Sequence, residues 1–484
     1  MRGVLLGRTT KQSHERERSP RCARDNIAAM LNAFAFVKRI GVWVLISIPF
    51  FFLVLMVAEY KVDVPEWDQW ALVPVLEKSY DGTLTLKDLW FQHNEHRLIF
   101  PKLMMVFLAH LSRWNVSYEL ALSIFLAVGI FLALAFCLKN TFNSLLGSNL
   151  RWPFILLSLI VFSLNQVENW LWGWDIQIFL NLLAGVGVIV LMTGRRLTWR
   201  KVVPAALLSI VAAYSYASGL VFFLIGFLAI IFSVSLSKKR RLLYSLFWIS
   251  VSTATVYSYF YHYHTPSHHP SLSLILNSPF SYLKYVLTYL GAALLSSDVN
   301  PFFSFLIGLS GVILFILTLL LILGAGKIKA GSLLPYLALS LYALVTACLT
   351  GIGRAGFGAV QAMSPRYVAF SSLLWISLVV FIILLLKIDS PRTEAAAKPV
   401  KILLTGILAL IFGLSAVSSF HSRVLFRERY RRLEPARREL FSMQNKELLE
   451  RIYPHVDEVD WREMENSVDF LKTRELSVFR RGAR

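Results

Sequence analysis

Cysteine and charge are both scarce in this chain of 484 residues, and each scarcity excludes something. The three cysteines, Cys22, Cys137 and Cys348, stand far apart, so they supply neither a disulfide framework nor a metal-ligand spacing. Charged residues make up only 16% of the chain and cluster at its ends and in connections, which leaves no polar stretch for a second globular domain. Internal repeats are absent too. Residues 1–39 hold nine Lys/Arg against three Asp/Glu, without an apolar run leading to a small-residue cleavage site. They read as a basic, disordered cytoplasmic tail and not as a removable leader.

What the chain has in abundance is apolar surface. It is 56% hydrophobic, and apolar runs recur that are long enough to cross roughly 30 Å of hydrocarbon. A soluble domain would interrupt such runs with polar faces at helical period. The expected fold class is an all-α polytopic membrane protein. The formal charge of +20 is then an orientation signal, and no nucleic-acid partner is expected.

Eleven spans are expected, near 40–58, 118–138, 152–168, 175–193, 203–218, 219–237, 242–260, 301–323, 331–349, 367–386 and 401–419. The stretch 203–237 reads either as a hairpin of two short helices turning at "SYASG" or as one long tilted helix. The basic connections 194–201, 237–241, 326–329 and 387–401 all fall on the inner side if 98–113, broken by Pro101 and Lys102, lies at the interface without crossing. The domain plan is a tail (1–39), a membrane bundle (40–420) with a large first external loop (59–117), and a charged external tail (421–484). That last segment, with fifteen basic and twelve acidic residues, reads as a small helical cap lying on the surface.

Four polar segments share the outer side: 59–117, 165–175, 261–300 and 351–367. The first loop opens with "VPEWDQW", which places Glu66 and Asp68 just beyond the first span. Long loops with helical texture tend to be ordered and functional. The same loop continues with "FQHNEHRLIFPKL", adding His93, Glu95, His96, Arg97 and Lys102. Imidazoles relay protons near neutral pH, and guanidinium and ammonium groups hold phosphate. Asp68, His93, Glu95 and His96 are also the set that would hold a divalent ion, Mg or Mn, if one is used. The connection "NQVENWLWGWD" places Trp170, Trp172 and Trp174 beside Asp175 and Gln177. An interfacial aromatic belt accounts for the tryptophans, but not for Asp175 and Gln177 entering a span, where polar groups are costly and more often functional. "GIGRAGFGAVQAMSPRY" sets Arg354 among glycines and ends on Arg366 and Tyr367. Arginine can clasp a phosphate with paired hydrogen bonds, and glycines let backbone N–H groups approach the same anion. The four histidines of "YHYHTPSHHP" read as part of a mobile loop over a substrate entry.

An acid just beyond the first helix, a large loop behind it, a basic-Pro segment in "EHRLIFPKL" and a second acid at Asp175 resemble the GT-C superfamily of integral-membrane glycosyltransferases, the group that contains protein O-mannosyltransferases and lipid A aminoarabinose transferases. The resemblance covers about 40–420 in architecture and points to a bacterial cell-envelope branch. It implies a sugar donor linked to polyprenyl phosphate, and inverting transfer to a glycan, lipid or protein acceptor on the external face of the inner membrane. By that resemblance Asp68 is the base; by their own chemistry Arg354 and Arg366, with Arg97 or Lys102, are the groups expected to hold the phosphate. Where the mannosyl type has an Asp-Glu pair followed by tyrosine, Asp68 is followed by Gln69 and Trp70, so Glu66 and Glu95 stay open as alternatives. A polymerase using diphosphate-linked glycan lipids, or a flippase for them, is the competing class.

Overall fold

In the computed structural model the described residues are 20–147, 150–194, 196–266, 277–328, 330–387, 394–453 and 458–481. The outer part of the N-terminal tail and His268 and His269 of the histidine loop lie outside them. Among the described residues the chain is helical, with a single isolated bridge between His93 and His96 as its only extended pairing.

Among the described residues eight helices are long and apolar enough to cross a membrane: Ile40–Tyr60, Val116–Leu146, Pro153–Leu171, Gly173–Met192, Pro301–Gly324, Leu334–Phe357, Pro365–Lys387 and Lys398–Glu439. Three of the eleven expected spans do not reach that standard. Trp199–Ala213 and Val221–Ile231 are short, at 15 and 11 residues. Lys238–Phe260 is long enough but opens on four cations and carries Ser, Thr and Tyr along its length. The stretch 203–237 is therefore two short helices broken at Tyr214–Tyr216, and not one tilted helix. Ile99–Ser112 has 14 residues, about 21 Å at 1.5 Å each, too short to span. Residues 20–39 of the N-terminal tail are helical and run on into the first span. Helix Pro20–Tyr60 begins well before the membrane stretch, because "NIAAMLNAFAF" is rich in strong helix formers.

Helix Val368–Lys387 is the centre of the bundle, buried on every side from Val368 to Leu384. Against it, Trp375 lies over Gly311, where a Cβ would stand 2.8 Å from the indole, and donates its N–H to Leu290 O at 2.8 Å. The outer helices do the reverse. Trp43, Phe51, Leu55, Ile313, Leu317 and Leu320 point outward, as they should where the surrounding solvent is lipid.

Residues 61–115 fold into a chain of short helices: Trp67–Leu72, Val73–Tyr80, Leu86–Trp90 and Ile99–Ser112. The C-terminal segment lies across them. Its Ile452 carbonyl accepts from Trp67 N at 2.7 Å and Trp70 Nε1 at 3.1 Å, and Arg480 and Arg474 pair with Asp63 and Asp81. Between Ala213 and Val221 the chain makes a tight re-entrant turn. Gly219 is required there, since a Cβ would come within 2.2 Å of the Ala212 carbonyl.

Candidate functional site

One end of the bundle gathers polar side chains from five separate stretches of sequence. Asp68 comes from the turn after the first helix, His93, Asn94, Glu95 and His96 from the first loop, and Trp172, Trp174, Asp175, Gln177 and Ile178 from the start of Gly173–Met192. Tyr216 comes from the re-entrant turn, and Arg354, Arg366 and Tyr367 from the ends of two later helices. Together they line one cavity, partly open to solvent.

Its two arginines are already matched by carboxylates. Glu95 takes Arg354 Nη2 on both oxygens, at 2.9 and 3.2 Å. Arg366 Nε donates to Glu168 Oε2 at 3.0 Å and its guanidinium lies over the Trp172 ring, 5.4 Å from the centroid. Ser364 closes this pair by donating to Glu168 Oε2 at 3.1 Å. Asp68 has no arginine of its own. His93 Nε2 stands 3.5 Å from its Oδ2, an ion-pair distance without hydrogen-bond alignment, and the His93 ring rests edge-on to Trp174. Burial pushes the Asp68 carboxyl up, but His93 beside it, with the charge of Arg366, outweighs that and holds it below the usual carboxylate range.

His96 is nearly buried and turned the other way. Its Nδ1 accepts from Ala217 N at 3.2 Å, its ring lies on Tyr216 at 4.1 Å, and Nε2 is 3.7 Å from Glu95 Oε1. Burial takes its pKa down to about 4, so the ring is neutral at pH 7 with its proton on the nitrogen facing Glu95.

A second buried layer supports the Asp68 turn. Glu119, wholly enclosed, accepts from Gln69 Nε2 at 2.7 Å and Trp114 Nε1 at 2.9 Å, while Gln69 Oε1 accepts from Glu66 N at 3.2 Å. In sequence Glu119 looks like an ordinary acid in a helix's first turn, and nothing nearby distinguishes it.

The structure brings Asp68, His93, Glu95, His96, Trp172, Asp175, Gln177, Arg354, Arg366 and Tyr367 to the cavity. Three other candidates lie elsewhere. The Glu66 carboxylate is almost fully buried and held by Arg429 and Arg432 of the C-terminal segment. Arg97 spends its donors on the carbonyls of Trp90, Tyr259 and Tyr261, and Lys102 donates to Phe91 O at 2.9 Å. Glu66 and Arg97 tie the loop to its surroundings, and Lys102 ties the loop to itself. The glycine segment also differs from expectation: Gly351 is inside helix Leu334–Arg354, packed on Tyr282, and Arg354 sits in that helix's last turn. Tyr216, Asn94 and Trp174 join the cavity without having been singled out as ligands.

The metal set fares less well. Among the described residues no group of three or more His, Cys, Asp or Glu side chains is arranged to hold an ion. Glu95 is committed to Arg354, which leaves Asp68 and His93 as the only close pair of the four proposed ligands apart from the 3.7 Å approach of His96 to Glu95. Comparison with known protein families, with curated proteins and with solved structures finds no match to this chain.

Proposed function

We propose that this protein transfers a sugar from a polyprenyl-phosphate donor to a hydroxyl of an envelope glycan, lipid or protein acceptor. The observation that carries the reading is Asp68, an ionised and partly exposed carboxylate in a cavity that also contains two arginines already held by carboxylates. A lipid phosphate entering from the bilayer edge would share Arg354 and Arg366 with Glu95 and Glu168. Its leaving oxygen would then meet guanidinium groups where negative charge develops.

In the reaction, Asp68 takes the proton from the acceptor hydroxyl. The acceptor oxygen attacks the anomeric carbon, the bond from that carbon to the phosphate oxygen breaks, and its electron pair leaves with polyprenyl phosphate. A single displacement inverts the anomeric centre and needs one base. His93 orients Asp68 and stabilises its charge. His96, neutral, fixes the loop against the Tyr216 turn.

The orientation of the bundle supports an external site. Gly173–Met192 starts at the cavity and ends beside Arg196, Arg200 and Lys201, and Lys238–Arg241 and Lys387 also lie at helix ends remote from it. Excess Lys/Arg marks the cytoplasmic side. On that basis the cavity faces the periplasm of a bacterial inner membrane.

The test is transfer of labelled sugar from membrane polyprenyl-phosphate donors, comparing wild type with Asp68→Asn at matched expression, with and without chelator. Loss of a general base should lower the rate about 10²–10⁴-fold, with donor binding retained. Full activity in Asp68→Asn removes Asp68 as the base. No transfer by wild type from any monophosphate donor overturns the reading in favour of a polymerase or flippase for diphosphate-linked glycans.

A further inference from the structure

Two acceptor atoms on side chains that line the cavity have no hydrogen-bond partner among the described residues. They are Asp175 Oδ2 and Gln177 Oε1, on side chains 1% and 4% exposed. Several buried polar groups nearby are paired, among them Glu168 with Arg366 and Ser364, Trp172 Nε1 with Glu66 O, Gln361 with Tyr285 and Tyr367, and Asn181 with Tyr342, while His93 Nε2 and Asn169 Oδ1 are not. Leaving a buried acceptor unpaired costs free energy that a folded chain normally avoids, the more so for a carboxylate at the start of a membrane helix. Both residues line the cavity, at the start of one helix, and Trp172 and Trp174 line it with them.

We infer that this wall is a monosaccharide subsite, in which Asp175 Oδ2 and Gln177 Oε1 accept hydrogen bonds from two sugar hydroxyls and the tryptophan pair packs against the ring's C–H surface. Acceptors demand donors, so phosphate, which presents oxygens of its own, belongs at Arg354 and Arg366. The hydroxylated head belongs at Asp175 and Gln177. Tryptophan supplies apolar area shaped for the alternating C–H groups of a pyranose. A site that pairs its buried acceptors with substrate hydroxyls also rejects analogues lacking them, because the acceptors are then stranded. The donor's sugar is thereby selected through its hydroxyls at this wall. The assignment of the sugar to a lipid-linked donor rests on the function proposed above; the subsite itself does not.

The experiment reads free sugar and lipid separately. Saturation-transfer NMR on the full-length protein in detergent would use a panel of methyl pyranosides and pentosides with their monodeoxy analogues. At least one fully hydroxylated glycoside should give a signal with wild type, and one deoxy analogue should bind about tenfold or more weakly. Asp175→Asn and Gln177→Leu should each weaken that glycoside by a similar factor and erase the discrimination against the deoxy analogue. Gly413→Ala, in open space on a helix away from the cavity, should leave free-sugar binding intact. Unchanged elution and melting temperature of the variants confirm that they fold. If no glycoside binds wild type, or if both variants bind the panel as wild type does, the subsite is overturned. Sugar binding that persists while no polyprenyl-phosphate donor is used would overturn the donor reading alone.

Discussion

Removing Arg429 should loosen the C-terminal segment from the first loop far more than removing its neighbour Arg432. Both hold the Glu66 carboxylate, Arg432 Nη2 at 2.8 Å, but their surroundings differ. The Glu66 and Arg429 side chains are 4% and 10% exposed, whereas Arg432 is 39% exposed. Stripping one partner from a buried pair leaves an uncompensated charge and costs about 3–5 kcal/mol. Because Arg432 remains to share Glu66, the lower figure applies. About 3 kcal/mol corresponds to roughly 100-fold in the equilibrium for lifting the segment. For Arg432, solvent and salt screening limit the effect to about 1 kcal/mol, or roughly fivefold. Amide exchange followed by mass spectrometry on protein in nanodiscs reads this directly, in peptides covering 423–439 and 446–453, where local opening sets the rate. Arg429→Ala should accelerate exchange there about 100-fold and Arg432→Ala only a few-fold, with the central helix Val368–Lys387 unchanged. Equal effects of the two substitutions, or less than tenfold for Arg429→Ala, would refute the assignment of Glu66 as a buried tie.

Acid should destabilise the fold through His96. Its pKa is about 4 in the fold against 6.5 unfolded, so its contribution is fully present above pH 6.5 and is lost as pH falls through 4; the total is about 3 kcal/mol. Thermal melts of His96→Gln should lack that part of the acid sensitivity, and an unaltered pH profile would remove His96 as its source. Gly219→Ala should cost about 1–3 kcal/mol, because its Cβ would meet Ala212 backbone that cannot move aside, whereas Gly413→Ala, in open space on a helix, should be neutral or slightly stabilising. Equal melting temperatures for the two glycine variants would show that the re-entrant turn has slack.

The bundle was legible because lipid imposes a simple rule: spans must be long, apolar and helical. Where the rule weakens, in the short pair after Trp199 and in the serine- and tyrosine-rich helix from Lys238, expectation and structure part over what counts as a span. The cavity was legible for a related reason. Asp175, Gln177, Arg354 and Arg366 are conspicuous beside a membrane because they are expensive there, and most such residues do converge. What could not be read was partnership. Arg97 and Lys102 look like phosphate ligands, since a cation beside a bilayer advertises only its charge, and nothing local says that a carbonyl will be its partner. Glu66 and Asp68 are two positions apart and look interchangeable, yet one faces the cavity and the other faces a helix from the far end of the chain. Glu119 escaped notice for the same reason, as its partners Gln69 and Trp114 become meaningful only once the loop has folded back on it.

The tie between Glu66 and Arg429 joins residues 363 positions apart, and it has a consequence for biosynthesis. The loop bearing Asp68 is translated early, right after the first helix, but the arginines that hold its neighbour leave the ribosome only with the end of Lys398–Glu439. During most of synthesis Glu66 must therefore stay hydrated, and the Asp68 turn has no reason to settle. Completion of the site is deferred until the rest of the bundle is inserted, so a chain released early would carry an unfinished cavity. The late arrival of the tail thus acts as an assembly checkpoint written into the order of the sequence.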